Sequence, residues 1–286
     1  MKKFLKVLAV LFLIVALIIA FIFYGTTVSV TNVTIVNQTI ESSKISEETS
    51  NLKIAFISDI HYNHFMNYER LENMIEKINA NKPDMILFGG DLFDDPSTYP
   101  PTEESQQELI TLLKSLQADL GKFAVLGEED HDPVVSDLVE NLLYQADFEL
   151  LTNEHLLITK NNATAVNLIG IDSQIGGNPD ISLAFENVDT SAYTIVLTHA
   201  PDIVNELPLS NIDLVLAGHS HGGQIALPFI GALQKKEGAS VYSNGEYTIN
   251  QTKLIVSNGL GTTESDIRIF ADPQCHMIRL TAIGGK

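Results

Sequence analysis

LKIAFISDIH, residues 52–61, is a mostly apolar run that ends abruptly in an aspartate and a histidine. The run has the length and composition of a strand buried on both faces. Residues two apart in an extended segment point to the same side, so Asp59 and His61 can face one ion. Apolar runs that end in Asp, His or both return four times: DMILFGGD (84–91), KFAVLGEEDHD (122–132), YTIVLTHAPD (193–202) and IDLVLAGHSH (212–221). Open α/β sheets place their sites at the C-terminal ends of such strands.

Six of the eight histidines lie in or beside these turns: His61, His64, His131, His199, His219 and His221. One of them alone would read as a core or capping residue. Four independent strand ends that bear histidine, with aspartates among them, do not fit that reading. Imidazole with carboxylate suits Zn, Mn or Fe. The donors exceed the needs of one ion and match two ions that share a carboxylate. Such a pair clamps in-line displacement at phosphorus, with a bridging hydroxide as nucleophile.

Between the strands, MNYERLENMIEKINANK (66–82) carries Tyr68, Leu71, Ile75 and Ile78 at helical spacing and stops before Pro83. TEESQQELITLLKSLQADLG (102–121) reads as a helix from an N-cap at Thr102, with Ser105 in its first turn, to a C-cap at Gly121. PVVSDLVENLLYQA (133–146) reads as the next, with Pro133 in its first turn. After Phe148 the texture changes to strands with few long helices: HLLITK, AVNLIGID, KLIVSNG and CHMIRLTAI join those above. The expectation is a pair of central sheets with helices outside them, in one domain over 51–286.

The amino end is of another kind. MKKFLK precedes VLAVLFLIVALIIAFIFY (7–24), which as a helix reaches roughly 27 Å, about the hydrocarbon thickness of a bilayer. Lys2, Lys3 and Lys6 on one side and Tyr24 on the other place the amino end in the cytoplasm and all that follows outside it. IIAFIFYG is a poor cleavage site, so an uncleaved, single-pass signal anchor over 1–24 is favoured over a cleaved signal peptide. Residues 25–50 read as an edge strand, VSVTNVTIVNQTI, and a polar spacer, ESSKISEETS. The N-x-S/T triplets at Asn32, Asn37, Asn162 and Asn250 are chance matches in a chain rich in Asn and Thr.

Hydrophobic residues make up 45% of the chain, and its formal charge is −19. That charge excludes a broad nucleic-acid face, and no basic patch is present. Cys275 is the single cysteine, so no disulfide within the chain and no thiolate cluster can form; it reads as a small core or surface residue. His155 and His276 sit in strand-like stretches and read as structural. Asp94 and Asp95 read as a solvated turn.

The order D-x-H, G-D, a strand-end loop, an isolated H and G-H-x-H resembles the calcineurin-like metallophosphoesterases. NEHLLI, NLIGIDS, DLVLAGHSHGGQIALPFIGAL and SNGLGTT…IRIFADP extend the resemblance over about residues 50–282, toward the membrane-associated bacterial branch. The resemblance implies a two-sheet β-sandwich flanked by helices on both sides. It also implies a metal-dependent phosphoric ester hydrolase with two divalent ions. Asp59, His61 and His221 would hold the first ion, His199 and His219 the second, with Asp91 bridging.

The third motif departs from the family's G-N-H-D or G-N-H-E. Here it is GEEDHD, 127–132. Read without a gap, Glu128 takes the Asn ligand position and Glu129 the histidine position. With a two-residue insertion, Asp130 takes the ligand position and His131 recovers the histidine. The ungapped reading is favoured for the ligand, because an insertion must rebuild the metal geometry; His131 is the candidate proton donor to the leaving group. Either way a carboxylate replaces a neutral amide, which tightens metal binding and weakens attraction for phosphate. His64 lines the pocket or sits in a surface turn, and Arg268 meets a substrate anion or a structural ion pair. Two functions follow: a membrane-anchored dimetal phosphoesterase acting on a phosphomonoester or phosphodiester, envelope or lipid-linked, or a metal-binding scaffold whose third motif has decayed.

Overall fold

The computed structural model describes residues 2–284, so the ends of the expected segments at 1 and 286 lie outside it. Helix α1 (Lys2–Thr27) and a 3-10 turn lead into β1 (Thr34–Ser42). Then come β2 (Leu52–Ile57), α2 (Tyr68–Ala80), β3 (Met85–Phe88), α3 (Glu103–Lys114), β4 (Lys122–Ala124), α4 (Ser136–Gln145) and β5 (Phe148–Leu150). The second half runs β6 (Glu154–Lys160), β7 (Ala163–Gly170), α5 (Ile181–Ala184), β8 (Thr194–Leu197), β9 (Leu214–Ala217), β10 (Ala226–Leu227), β11 (Gly231–Ala232), β12 (Gly245–Ile249), β13 (Thr252–Val256) and β14 (Gln274–Ala282).

Two six-stranded sheets form, in the orders β1-β14-β2-β3-β4-β5 and β12-β13-β9-β8-β7-β6, beside a small β10–β11 hairpin. β2, β3, β4 and β5 are mutually parallel, as are β7, β8, β9 and β13. Strand alternation explains why the apolar runs are continuous. Leu52, Ile54 and Phe56 of β2 meet Ile195 and Leu197 of β8 and Leu214 and Leu216 of β9 between the sheets. Ala55 and Ile57 face outward, into a second core with Leu71, Ile75 and Ile78 of α2 and Leu109 and Leu112 of α3. Val196 and Val215 face a third core built with Ala184 of α5 and the turn residues Ile203 and Val204. The expected sandwich with outer layers on both faces is what forms, its second outer layer made of short turns around α5.

Local differences have local causes. Thr102 and Ser105 form a reciprocal capping box at the start of α3. The helix ends at Lys114, before Gly121, with Ser115 as its C-cap and the Ser115 hydroxyl donating to the Leu112 carbonyl at 2.6 Å. Pro133 lies ahead of α4, which starts at Ser136 after Asp132 has accepted from the Val134 amide. β1 lies at a sheet edge, and Ile45 of the polar stretch after it enters the core between the sheets.

Candidate metal centre

The parallel strands of both sheets end toward one place. Asp59 and His61 follow β2, Asp91 follows β3, Glu128 follows β4, His199 follows β8, and His219 and His221 follow β9. Asp59, His61, Asp91, His219 and His221 all adopt left-handed backbone conformations, with φ between 47° and 67°. Each costs an L-residue roughly 1–2 kcal/mol. Small neighbours permit the crowding that results: a Cβ on Gly127 would lie 2.2 Å from Asp91 Oδ1, and one on Gly218 2.4 Å from Asp59 Oδ2.

Two groups of ligand atoms result, Asp59–His61–His221 and Asp91–His199–His219, each with its atoms within 4.8 Å of one another. The Nε2 atoms of His61 and His221 face each other at 3.0 Å. Asp91 Oδ2 sits 3.6 Å from His61 Nε2 and 3.2 Å from His199 Nε2, so one oxygen reaches both groups.

Hydrogen bonds on the far sides of the rings fix which nitrogens face inward. His199 Nδ1 donates to the Gly89 carbonyl at 2.7 Å, and His219 Nε2 to the Glu237 carbonyl at 2.6 Å. Asp94 Oδ1 lies 3.3 Å from His61 Nδ1. Such outer partners orient metal ligands. His199 Nε2, His219 Nδ1 and Asp91 Oδ2 are left buried with no hydrogen-bond partner among the described residues.

The electrostatics tell the same story. Burial raises the carboxyl of Glu129, and the neighbouring Asp91 charge raises it further, to about 7. Glu128 is raised by the same two causes. Burial works against a charged His199, yet the Asp91 carboxylate overrides it and raises the imidazole to about 10. Burial, with the neighbouring His199 charge, instead lowers His219 to about 3, so the set holds carboxylates beside neutral imidazole, the donors that divalent cations take up. The donors therefore fit the two ions that the residue pattern implied.

The acidic stretch 127–132 is resolved residue by residue. Glu128 Oε1 lies 3.6 Å from His219 Nδ1, facing the second group. Asp130 is fully buried and faces backbone instead: its carboxylate accepts from the amides of Asp91, Leu92 and Gly127, each at 2.8 Å. The His131 ring binds Asp172 Oδ1 through Nε2 at 2.8 Å. A cleft of about 430 Å³ opens over the centre, lined by residues that include Glu128, Glu129, His219, Lys236, His64 and Asp94. His131 is not among its lining residues.

Other expectations are corrected. Asp94 is not solvated; it is buried and holds His61 on one oxygen and His64 Nδ1, at 2.8 Å, on the other. His64 lines the cleft, stacked between Phe65 and Tyr99 with centroids 3.8 and 3.7 Å away. Arg268 forms no ion pair among the described residues. It is fully buried and donates to the carbonyls of Asn258, Gly261, His221 and Ala271, tying down the loops beneath the centre. Cys275 and His276 are buried strand residues. Lys236, whose Nζ lies 3.8 Å from Glu128 Oε1, was missed because the loop that carries it has no motif. Asp94 was missed because adjacent aspartates before a proline read as a turn.

Comparison with known proteins agrees with this arrangement. Residues 52–223 match the family model described as calcineurin-like phosphoesterase. The uncharacterised metallophosphoesterase YkuE of Bacillus subtilis is 32% identical, over 85% of this chain and 83% of its own. One from Aquifex aeolicus is 30% identical, over 86% and 91%. The UDP-2,3-diacylglucosamine pyrophosphatase LpxG of Chlamydia muridarum is 28% identical, over 80% and 83%. With the family's match spanning both candidate ligand groups, the chain belongs to the calcineurin-like phosphoesterases.

Proposed function

We propose that this chain is a membrane-anchored, extracytoplasmic phosphoesterase that hydrolyses a lipid-linked phosphoester or pyrophosphate of the cell envelope with two divalent ions, Mn, Zn or Fe. The observation that carries the reading is Asp91 Oδ2, within 3.6 Å of both His61 and His199 beneath one open cleft. Asp59, His61 and His221 would hold the first ion, His199, His219 and Glu128 the second, and Asp91 faces both groups. When bound, such ions polarise phosphoryl oxygens and lower the pKa of water. The relative named for a UDP-diacylglucosamine pyrophosphatase and the apolar α1 support a lipid-linked substrate. α1 crosses the bilayer with its amino end in the cytoplasm.

The chain's own groups do the rest. Lys236 places a cation in the cleft, where a phosphoryl group would sit. His64, held by Asp94 through Nδ1, keeps Nε2 for the substrate, and we assign it the proton delivered to the leaving group. His131, the candidate from sequence, has its Nε2 committed to Asp172 at 2.8 Å, and that pairing argues for this reassignment.

One observation favours the second reading, a metal-binding scaffold. The cleft is lined by Asp94, Asp95, Glu128, Glu129, Glu237 and Glu264, which oppose an anionic substrate. The test uses full-length protein loaded with Mn, bis-p-nitrophenyl phosphate and p-nitrophenyl phosphate. Metal-dependent turnover that disappears in Asp91→Asn supports the esterase. No turnover, with activity gained in the double variant Glu128→Asn, Glu129→His, supports the scaffold.

A further inference from the structure

The loop between His221 and Lys236 carries the β10–β11 hairpin, and its tip is unlike the rest of the surface. Phe229 is fully exposed, Ile230 is 71% exposed, and Leu233 at the base of the hairpin is 58% exposed. Single exposed apolar residues are ordinary, but an adjacent pair on a projecting tip is not. Phe229 also holds a left-handed conformation, φ 67°, which a bulky residue adopts at a cost.

The tip does not stand alone. At the base of the hairpin the Ala226 amide donates to the Ile269 carbonyl at 2.9 Å. The next residue, Phe270, is 59% exposed and packs against Phe21 of α1, ring centroids 5.6 Å apart. The Arg268 amide donates to the Gly25 carbonyl at 3.0 Å, seating the end of α1 on this same segment. Exposed apolar side chains therefore run from the last turns of α1, through Phe270, to the hairpin. The other end of that loop, Lys236 and Glu237, lines the cleft.

We propose that the β10–β11 hairpin inserts Phe229 and Ile230 into the lipid leaflet that α1 enters, holding the mouth of the cleft at the bilayer surface. The occupant is lipid because the patch continues the lipid-facing surface of α1. At a net charge of −19, the chain gains nothing from electrostatic adhesion to an anionic membrane, so contact has to be apolar. The inference rests on the anchored reading above, and gives it a geometry: a lipid-linked phosphate would reach the centre without leaving the membrane.

The test places a fluorophore on full-length protein in phosphatidylethanolamine–phosphatidylglycerol vesicles containing spin-labelled lipid. Cys275 is buried, so an introduced thiol is labelled selectively. Pro228→Cys reports the hairpin, Phe12→Cys the anchor, and Tyr144→Cys, exposed on α4, the control. Quenching at 12 and 228 but not 144, with the signal at 228 lost when Phe229→Ser and Ile230→Ser are added, is the expected result. Quenching at 12 alone overturns the hairpin contact and leaves the anchor standing. No quenching at 12 overturns both. Equal quenching at 228 and 144 overturns it as adhesion of the whole domain. Shielding of 228 from aqueous iodide without lipid quenching overturns it in favour of a second copy of the chain.

Discussion

Asp91 and Asp130 show how two buried carboxylates 39 residues apart divide the labour of one site. Asp91 Oδ2 faces both candidate ligand groups, while Asp130 receives the Asp91 amide and fixes where that oxygen can be. Asp91→Asn should lower turnover by about two to three orders of magnitude while the protein stays folded, as read by steady-state kinetics beside circular dichroism. Asp130→Ala should instead unfold more easily. It strands three buried amides, and a loss of roughly 3 kcal/mol is expected in urea titration, from about 1 kcal/mol or more for each donor. His64 and His131, both outside the ligand groups, separate in the same way. His64→Ala should reduce turnover about 100-fold on a substrate with a poor leaving group and much less on a nitrophenyl ester, whose leaving group needs no proton. His131→Ala should affect stability through Asp172 and leave that ratio unchanged. A ratio that moves with His131 and not with His64 would reverse the assignment.

At the level of elements, the site is a set of strand ends whose backbone turns sharply enough to aim short side chains inward. Gly218 is part of that turn: the Cβ of a Gly218→Ala variant would lie 2.4 Å from Asp59 Oδ2. The variant should fold but bind Mn about tenfold more weakly, measured by calorimetry, because Asp59 has to move. Much of this scale was legible beforehand. Runs such as LKIAFIS and YTIVLTH are apolar throughout because both of their faces are covered, and composition records that directly. The histidines and aspartates after them were legible because no packing explanation covers so many strand ends. What stayed hidden was set by contacts distant in sequence. Asp94 is buried by His61 and His64, and Lys236 reaches the cleft from a loop without periodicity. The Asp130 carboxylate could be told from a ligand only once the Asp91 and Leu92 amides were seen beside it. Helix α3 stops at Lys114, with Ser115 as its C-cap, an end that its apolar spacing does not record.

Across the whole molecule, the centre joins loops from both sheets, so metal and fold should be thermodynamically linked. Ions that bind the folded chain alone stabilise it by about 4 kcal/mol at a thousandfold excess over Kd. Removing them with a chelator should lower the midpoint of thermal unfolding by roughly 10 °C, and restoring Mn should bring it back, followed by calorimetry. A chelator without effect would mean that the left-handed turns are held by protein contacts alone. The sheet order bears on a separate matter, the timing of synthesis. The last strand, β14, lies between β1 and β2, pairing in parallel with one and antiparallel with the other. A ribosome delivers β1 and β2 more than two hundred residues before the strand that joins them. Until residue 282 has emerged, the first sheet lacks its inner partner and stays open at that edge. Closure of the first sheet thus waits for β14, and until then β1 and β2 have no strand between them to pair with.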